Sequence, residues 1–354
     1  MRRPDDLVLL ALTHPDELPK LHLADWDLLI RQARSAGMLG RIHAALDEAA
    51  LLDAAPRAPR AHLAAAAIIA SSQERVVRWE VRCIERALSE AGTETILLKG
   101  AAYVLAGFPI ARGRLQSDID ILVPWPKLKD VEASLRRHGW QDLKLEKYDQ
   151  RFYRQWSHEL PPLYHPQRST VVDVHHNILP RTGRLRPDSR KLLDAAQSIP
   201  GTRFKRLSDP DMVLHAAAHM FQDGDLNAGW RELSDIDGMV RLLGKRVGFW
   251  EELLQRAPEM DLARPLFYAL RYSNRFLYTP IPASAASTIQ KWGPTGAVLR
   301  VMDATVLRAL SPRRPEKTRP GTEAARWFLY ARSHWLRMPP LLLARHLTHK
   351  LLKV

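Results

Sequence analysis

Hydrophobic and polar positions change rhythm twice along this chain. Through the first ninety or so residues apolar side chains recur at helical intervals. In DWDLLIRQARSAGMLGRIHAALDEAALL, Leu28, Leu29, Ala33, Met38, Leu39, Ile42 and Leu46 keep that spacing. PRAPR interrupts it, and AHLAAAAIIASSQERVVRWEVRCIERALSEAG predicts a second long helix ending at Gly92. From Thr95 short β-branched runs take over. TILLKG reads as a buried strand closed by glycine, AAYVLAG as a short helix and SDIDILV as a strand stopped by PWP. KLKDVEASLRRHG is an amphipathic helix, RFYRQWSHELPPLYH predicts a hairpin or meander, and STVVDVHHNI is a further strand. After about residue 200 helical spacing returns in DPDMVLHAAAHMFQ and GWRELSDIDGMVRLLGK. LSPRRPEKTRPGTEAA reads as a loop or linker, and the chain closes on a broken basic amphipathic helix. The expected divisions are 1–92, 93–200, 201–310 and a basic linker and tail over 311–354.

The run SDIDILV poses the chemical question, because it sets two acids inside a strand pattern. Side chains alternate along a strand, so Asp118 and Asp120 share one face while Ile119, Ile121 and Val123 share the other. Strand rise separates their Cα atoms by about 6.5–7 Å, from which two carboxylates converge on hard cations about 3.5–4 Å apart. A third acid, Asp173, stands among valines in VVDVHH, with His175 two residues on. Gly100 ends a strand and opens a helix, where backbone N–H groups approach phosphate.

Charge and composition narrow the partners. The 354 residues carry 53 Lys and Arg against 39 Asp and Glu, a formal charge of +14, which favours polyanions unless it reflects compositional bias alone. From residue 301 onward eleven Lys or Arg face three acids, so the tail either lies on an anionic membrane, grips nucleic acid, or packs its leucines inward as a solvated basic helix. No apolar run is long enough to span a membrane and no signal peptide is read at the N-terminus. The single cysteine, Cys83, excludes an intrachain disulfide and a multi-cysteine metal site and fits a reducing, cytoplasmic setting.

Taken in order, strand–Gly–helix, D-x-D and a later strand Asp resemble the DNA polymerase β-like nucleotidyltransferase superfamily. ILLKGAA, RGRLQSDIDILV and VVDVHHNI are similar, more narrowly, to a family of uncharacterised bacterial nucleotidyltransferases. The lead-in LLIRQARSAGMLGRIHAAL and the trailing LHAAAHMF and LSDIDGMV resemble that family's flanks. The resemblance implies an α+β fold, with a small mixed β-sheet nucleotidyltransferase core between N-terminal and C-terminal helical regions. It implies Mg²⁺-dependent transfer of an NMP from an NTP to a hydroxyl, the acceptor being a small molecule, glycan, peptide or RNA. Asp118 and Asp120 would bind two Mg²⁺ ions, Asp173 would hold the catalytic ion and help deprotonate the acceptor, and Gly100 would sit against the phosphates.

The superfamily usually carries serine after the glycine, where this chain has Ala101, leaving Lys99 and Arg114 as phosphate ligands. Ser117 would touch phosphate or cap its turn. His175 would orient Asp173, touch substrate, or serve as a supporting histidine, and His176 would face the other way. His158 and His165 would line the rim. His215 and His219, one helical turn apart, would pack against the core or, with Asp235 or Asp237, hold a metal. Two readings compete with transfer: a nucleotidyltransferase-like module that binds nucleotide or a partner without reacting, and an RNA-binding or RNA-modifying protein. The tail also leaves open peripheral contact with the inner membrane face.

Overall fold

The computed structural model describes residues 7–143, 146–223, 226, 229–310 and 320–351. Four helices lead in: α1 (Leu7–Thr13), α2 (Leu23–Ser35), α3 (Leu39–Glu48) and α4 (Arg57–Leu88). Gly37, at φ +67°, makes the turn between α2 and α3. The prolines expected to break the chain instead start α4. Pro56 is its N-cap and Pro59 lies in its first turn, where the missing N–H has no intrahelical partner to lose.

The middle of the chain builds a sheet from β1 (Ile96–Leu97), β2 (Ile119–Leu122), β3 (Gln141–Asp142), β4 (Leu163–His165), β5 (Thr170–His175), β6 (Gln197–Ser198) and β7 (Lys205–Arg206). Their order is β3-β4-β5-β2-β1-β7-β6. β2 runs parallel to β5 and β1 parallel to β7, while the other neighbours are antiparallel, so the sheet is mixed. Interleaved with the strands are α5 (Lys99–Leu105), α6 (Leu128–Arg137), α7 (Lys147–Trp156) and α8 (Ser189–Asp194).

Helix α7 replaces the hairpin or meander expected across RFYRQWSHELPPLYH. The Arg and Gln residues between aromatics imitate strand alternation, but Phe152 and Trp156 stand four residues apart and their rings lie 5.9 Å from each other on one helix face. Only the end of that stretch, β4, is a strand.

The second half is helical: α9 (Asp209–Asp223), α10 (Gly229–Leu243), α11 (Phe249–Glu259), α12 (Ala263–Leu277), α13 (Ala283–Gln290), α14 (Gly296–Ala309), α15 (Thr322–Arg337) and α16 (Pro340–Leu351). The fold is therefore α+β, a mixed sheet flanked by helices from both halves of the sequence. One continuous apolar core runs from Leu7 through the strands to Leu329. Part of the expected linker, residues 311–319, lies outside the described residues. Among those described, no helix is long and apolar enough to cross a membrane.

Candidate active site

β2 and β5 place the two strand aspartates together. Their parallel register pairs Asp120 directly with Asp173, and paired residues in neighbouring strands project from the same face about 4.8 Å apart. Asp118 immediately precedes β2 and is exposed, its carboxylate accepting a 2.8 Å hydrogen bond from the Ser117 hydroxyl. At the end of β1, Leu98 N–H donates to the Asp120 carbonyl at 3.0 Å, fixing the start of α5 beside β2. Lys99 opens that helix with φ +44°, a left-handed backbone uncommon outside glycine, and its Nζ lies 3.1 Å from Asp120 Oδ1.

The two carboxylates titrate differently. Burial alone would raise the pKa of Asp120, but the Lys99 ammonium and a 2.9 Å hydrogen bond from His175 Nε2 outweigh it and hold the group well below the ordinary carboxylate range. No Lys or Arg ion pair with Asp173 is seen among the described residues, and the pull of His175 on it is outweighed. Burial first, then the Asp120 and Glu159 carboxylates, push it up to about 7. Its Oδ1 is buried with no hydrogen-bond partner among the described residues. Burial opposes charge on His175, yet Glu159 and Asp120 overcome it and raise that imidazole's pKa.

Two cavities meet at this point. The smaller, about 300 Å³, is lined by Lys99, Gly100, Ser117, Arg114 and Arg231 among others. The larger, about 560 Å³, is lined by Asp173, His175, His158 and Glu159, by Tyr153 of α7, and by Tyr330, His334 and Arg337 of α15. Lys99, Asp118, Asp120 and His219 line both.

The remaining candidates take these places. Arg114 is buried, donating from Nε to Asp235 at 2.9 Å and from Nη1 to Gln116 at 2.6 Å, while Arg41 pairs with the same aspartate. Gly100 lines the smaller cavity, but a Cβ there would run into the Gln116 and Arg114 side chains, so its bareness admits those two residues. His165 is packed edge-on against Trp140 at 5.1 Å and lines neither cavity, unlike His158. His176 stacks edge-on with Trp125, and burial lowers its pKa to about 4. His215 is buried, and burial holds it neutral, its pKa well below the ordinary range. His219 Nδ1 lies 3.0 Å from Glu232. With Asp235 taken by two arginines and Asp237 held by Arg241 and Thr279, the metal reading of that helical pair finds no support.

Other contributors escaped the sequence. Glu159 faces His175 across an isolated antiparallel bridge, and no motif marks it. Arg231 sits in α10, far along the chain from the glycine turn, and its Nε is buried without a hydrogen-bond partner among the described residues. Tyr153 and the α15 residues were hidden by the hairpin expectation and by distance in sequence.

No curated protein matches the chain. Among solved structures it is similar to an antigenic nucleotidyltransferase-like protein from Paracoccidioides brasiliensis, at 15% identity and a TM-score of 0.30, over 59% of this chain and 95% of that one. The family described as "Uncharacterised nucleotidyltransferase" matches residues 22–278, a span that runs from α2 to the end of α12 and contains Asp118, Asp120 and Asp173. The chain belongs to that nucleotidyltransferase family.

Proposed function

We propose that the protein transfers an NMP from an NTP to a hydroxyl, with Asp118, Asp120 and Asp173 as its metal-binding acids. The carrying observation is the register that pairs Asp120 with Asp173 where two cavities join, with Asp118 at the strand entrance. The donor set suits Mg²⁺. It is all carboxylate, and Asp173 offers an oxygen with no hydrogen-bond partner among the described residues, beside two other acids. Bound there, Mg²⁺ supplies charge neutralisation to the phosphates and to the leaving pyrophosphate.

The protein's own groups divide the remaining work. Lys99 and His175 keep Asp120 anionic and fix its orientation. Lys99 and Arg231 are cations in the lining of the smaller cavity and would meet the triphosphate there. Arg114 holds the loop ahead of β2 through Asp235 and Gln116, a positioning role in place of phosphate contact. Asp173 lines the larger cavity and not the smaller, which supports reading the larger as the acceptor's side. Metal-free Asp173 keeps its proton to about pH 7 and would release it on binding Mg²⁺, leaving a carboxylate beside the acceptor hydroxyl, while Asp120 stays ionised throughout. The test is incubation with labelled NTPs, Mg²⁺ and fractionated lysate. Label passing to an acceptor with wild type and not with Asp173→Asn supports transfer. Nucleotide binding without label transfer or pyrophosphate release supports the non-catalytic module instead.

A further inference from the structure

The wall of the larger cavity holds a donor cluster of which His175, through Nε2, touches Asp120. His158, Glu159 and His175 bring one ligand atom each to within 4.8 Å of one another. The backbone builds this. Glu159 bridges His175 in antiparallel fashion, with His176 N–H donating to the His158 carbonyl at 2.8 Å and Leu160 N–H to the Val174 carbonyl at 2.9 Å. His158 and His175 are thereby held side by side, their ring centroids 5.3 Å apart.

Two ring nitrogens of the cluster make no hydrogen bond among the described residues. His175 is 2% exposed, and its Nδ1 is buried without a hydrogen bond but faces Glu159 Oε2 at 3.4 Å. His158 Nδ1 is likewise buried and unpartnered among the described residues. The opposite nitrogen of His175 bonds Asp120 Oδ1 at 2.9 Å. A carboxylate behind one ring nitrogen, leaving the other as a lone-pair donor, is the usual outer arrangement of a metal-bound histidine.

The geometry points to a site for a divalent transition ion, Zn²⁺ or Mn²⁺, held by His158, Glu159 and His175. Two imidazoles and one carboxylate form a donor set that first-row transition ions take and that Mg²⁺, with its preference for oxygen, does not. Its three ligands are different residues from the three aspartates, and Asp120 joins the two sets through its hydrogen bond with His175. An ion there stands one hydrogen-bonded side chain away from Asp120 and adds positive charge to an acid-rich cavity wall.

The experiment uses the full chain stripped with chelator. Zn²⁺ is titrated calorimetrically and Co²⁺ by visible absorption, in wild type, His158→Ala, Glu159→Gln and Asp118→Asn. One Zn²⁺ per chain is expected, with the visible bands of nitrogen-ligated Co²⁺. Losing a direct ligand should weaken Zn²⁺ more than tenfold, at or beyond the ~10–100-fold that loss of an outer partner costs. Asp118→Asn should leave Zn²⁺ affinity within about twofold of wild type while lowering Mg²⁺-nucleotide affinity, so the two sites fail or succeed separately. Should His158→Ala not fold, Glu159→Gln and the Co²⁺ spectrum decide the matter. Zn²⁺ affinity unchanged in His158→Ala and Glu159→Gln, or Co²⁺ spectra showing oxygen ligands only, would overturn the site.

Discussion

Asp120 and Asp173 are the same residue at paired positions, and their neighbours alone drive them apart. Lys99 and His175 crowd Asp120, whereas Asp173 faces burial and other acids. The native state keeps a proton on Asp173 to about pH 7, while the unfolded chain releases it near pH 4. Between those values the unfolded state binds fewer protons, so metal-free stability falls as pH rises from about 4 to about 7. Asp173→Asn removes that penalty. Its unfolding free energy from urea melts should exceed that of wild type at pH 8 by about 1–3 kcal/mol, allowing for partial solvent screening, and the gap should close toward pH 4. The linked expectation is proton release when Mg²⁺ is added to wild type near pH 6.5, measurable in a weakly buffered titration and absent in Asp173→Asn. Arg114 and Arg231 separate by the same logic. Arg114→Ala leaves Asp235 buried beside Arg41 alone and should cost about 3–5 kcal/mol in denaturant melts. Arg231→Ala strands no acid paired to it and should weaken nucleotide binding with a stability change of about 1 kcal/mol or less.

At the scale of elements, the acids are carried by β2 and β5, and the loop before β2 is clamped by α3. Gly40 of α3 and Gly113 of that loop approach so closely that a Cβ on either would collide with the other's backbone. Gly113 also has φ +68°. Gly113→Ala should therefore cost several kcal/mol, on the order of 2–4, and displace Arg114. Gly92→Ala, at φ +53° with open space around it, should cost only about 1 kcal/mol of backbone strain. Thermal melts of the two variants compare these directly. The same scale explains what the sequence could disclose. D-x-D in an apolar run and Asp173 among valines announce strands with one acidic face, because strand alternation is a local property. That β5 lies parallel beside β2, with Asp173 level with Asp120, depends on sheet order, which no local pattern encodes. Glu159 reaches His175 through an irregular bridge, and α7 hid behind aromatics spaced by polar residues. Gly100 was legible as a position that must lack a side chain, but its reason lies in Gln116 and Arg114, visible only after folding.

Over the whole molecule, the flanking helices complete the cavities that the sheet begins. α9 and α10 supply His219, Arg231 and Glu232 to the smaller cavity, and α15 brings Tyr330, His334 and Arg337 over the larger. α15 is held there by Thr182, whose hydroxyl donates to the Arg337 carbonyl at 2.9 Å, and by Arg184 stacked on Trp335 at 4.5 Å. Arg184→Ala should therefore raise hydrogen exchange in α15 while leaving β2 protected, because cation–π and packing contacts are lost at one end only. The excess of cationic residues fits a phosphate-rich ligand, and among the described residues Lys99, Arg114, Arg231 and Arg337 line the two cavities. The central claim is that Asp118, Asp120 and Asp173 jointly hold Mg²⁺-nucleotide, and Asp118 is its cleanest probe because it is exposed and, among the described residues, its carboxylate is bonded by Ser117 alone. Calorimetric titration of ATP, GTP, CTP and UTP in Mg²⁺ into wild type and Asp118→Asn tests it. At least one nucleotide should bind wild type and lose affinity tenfold or more, about 1.4 kcal/mol, in the variant. Equal affinity in the two proteins for every nucleotide would contradict it.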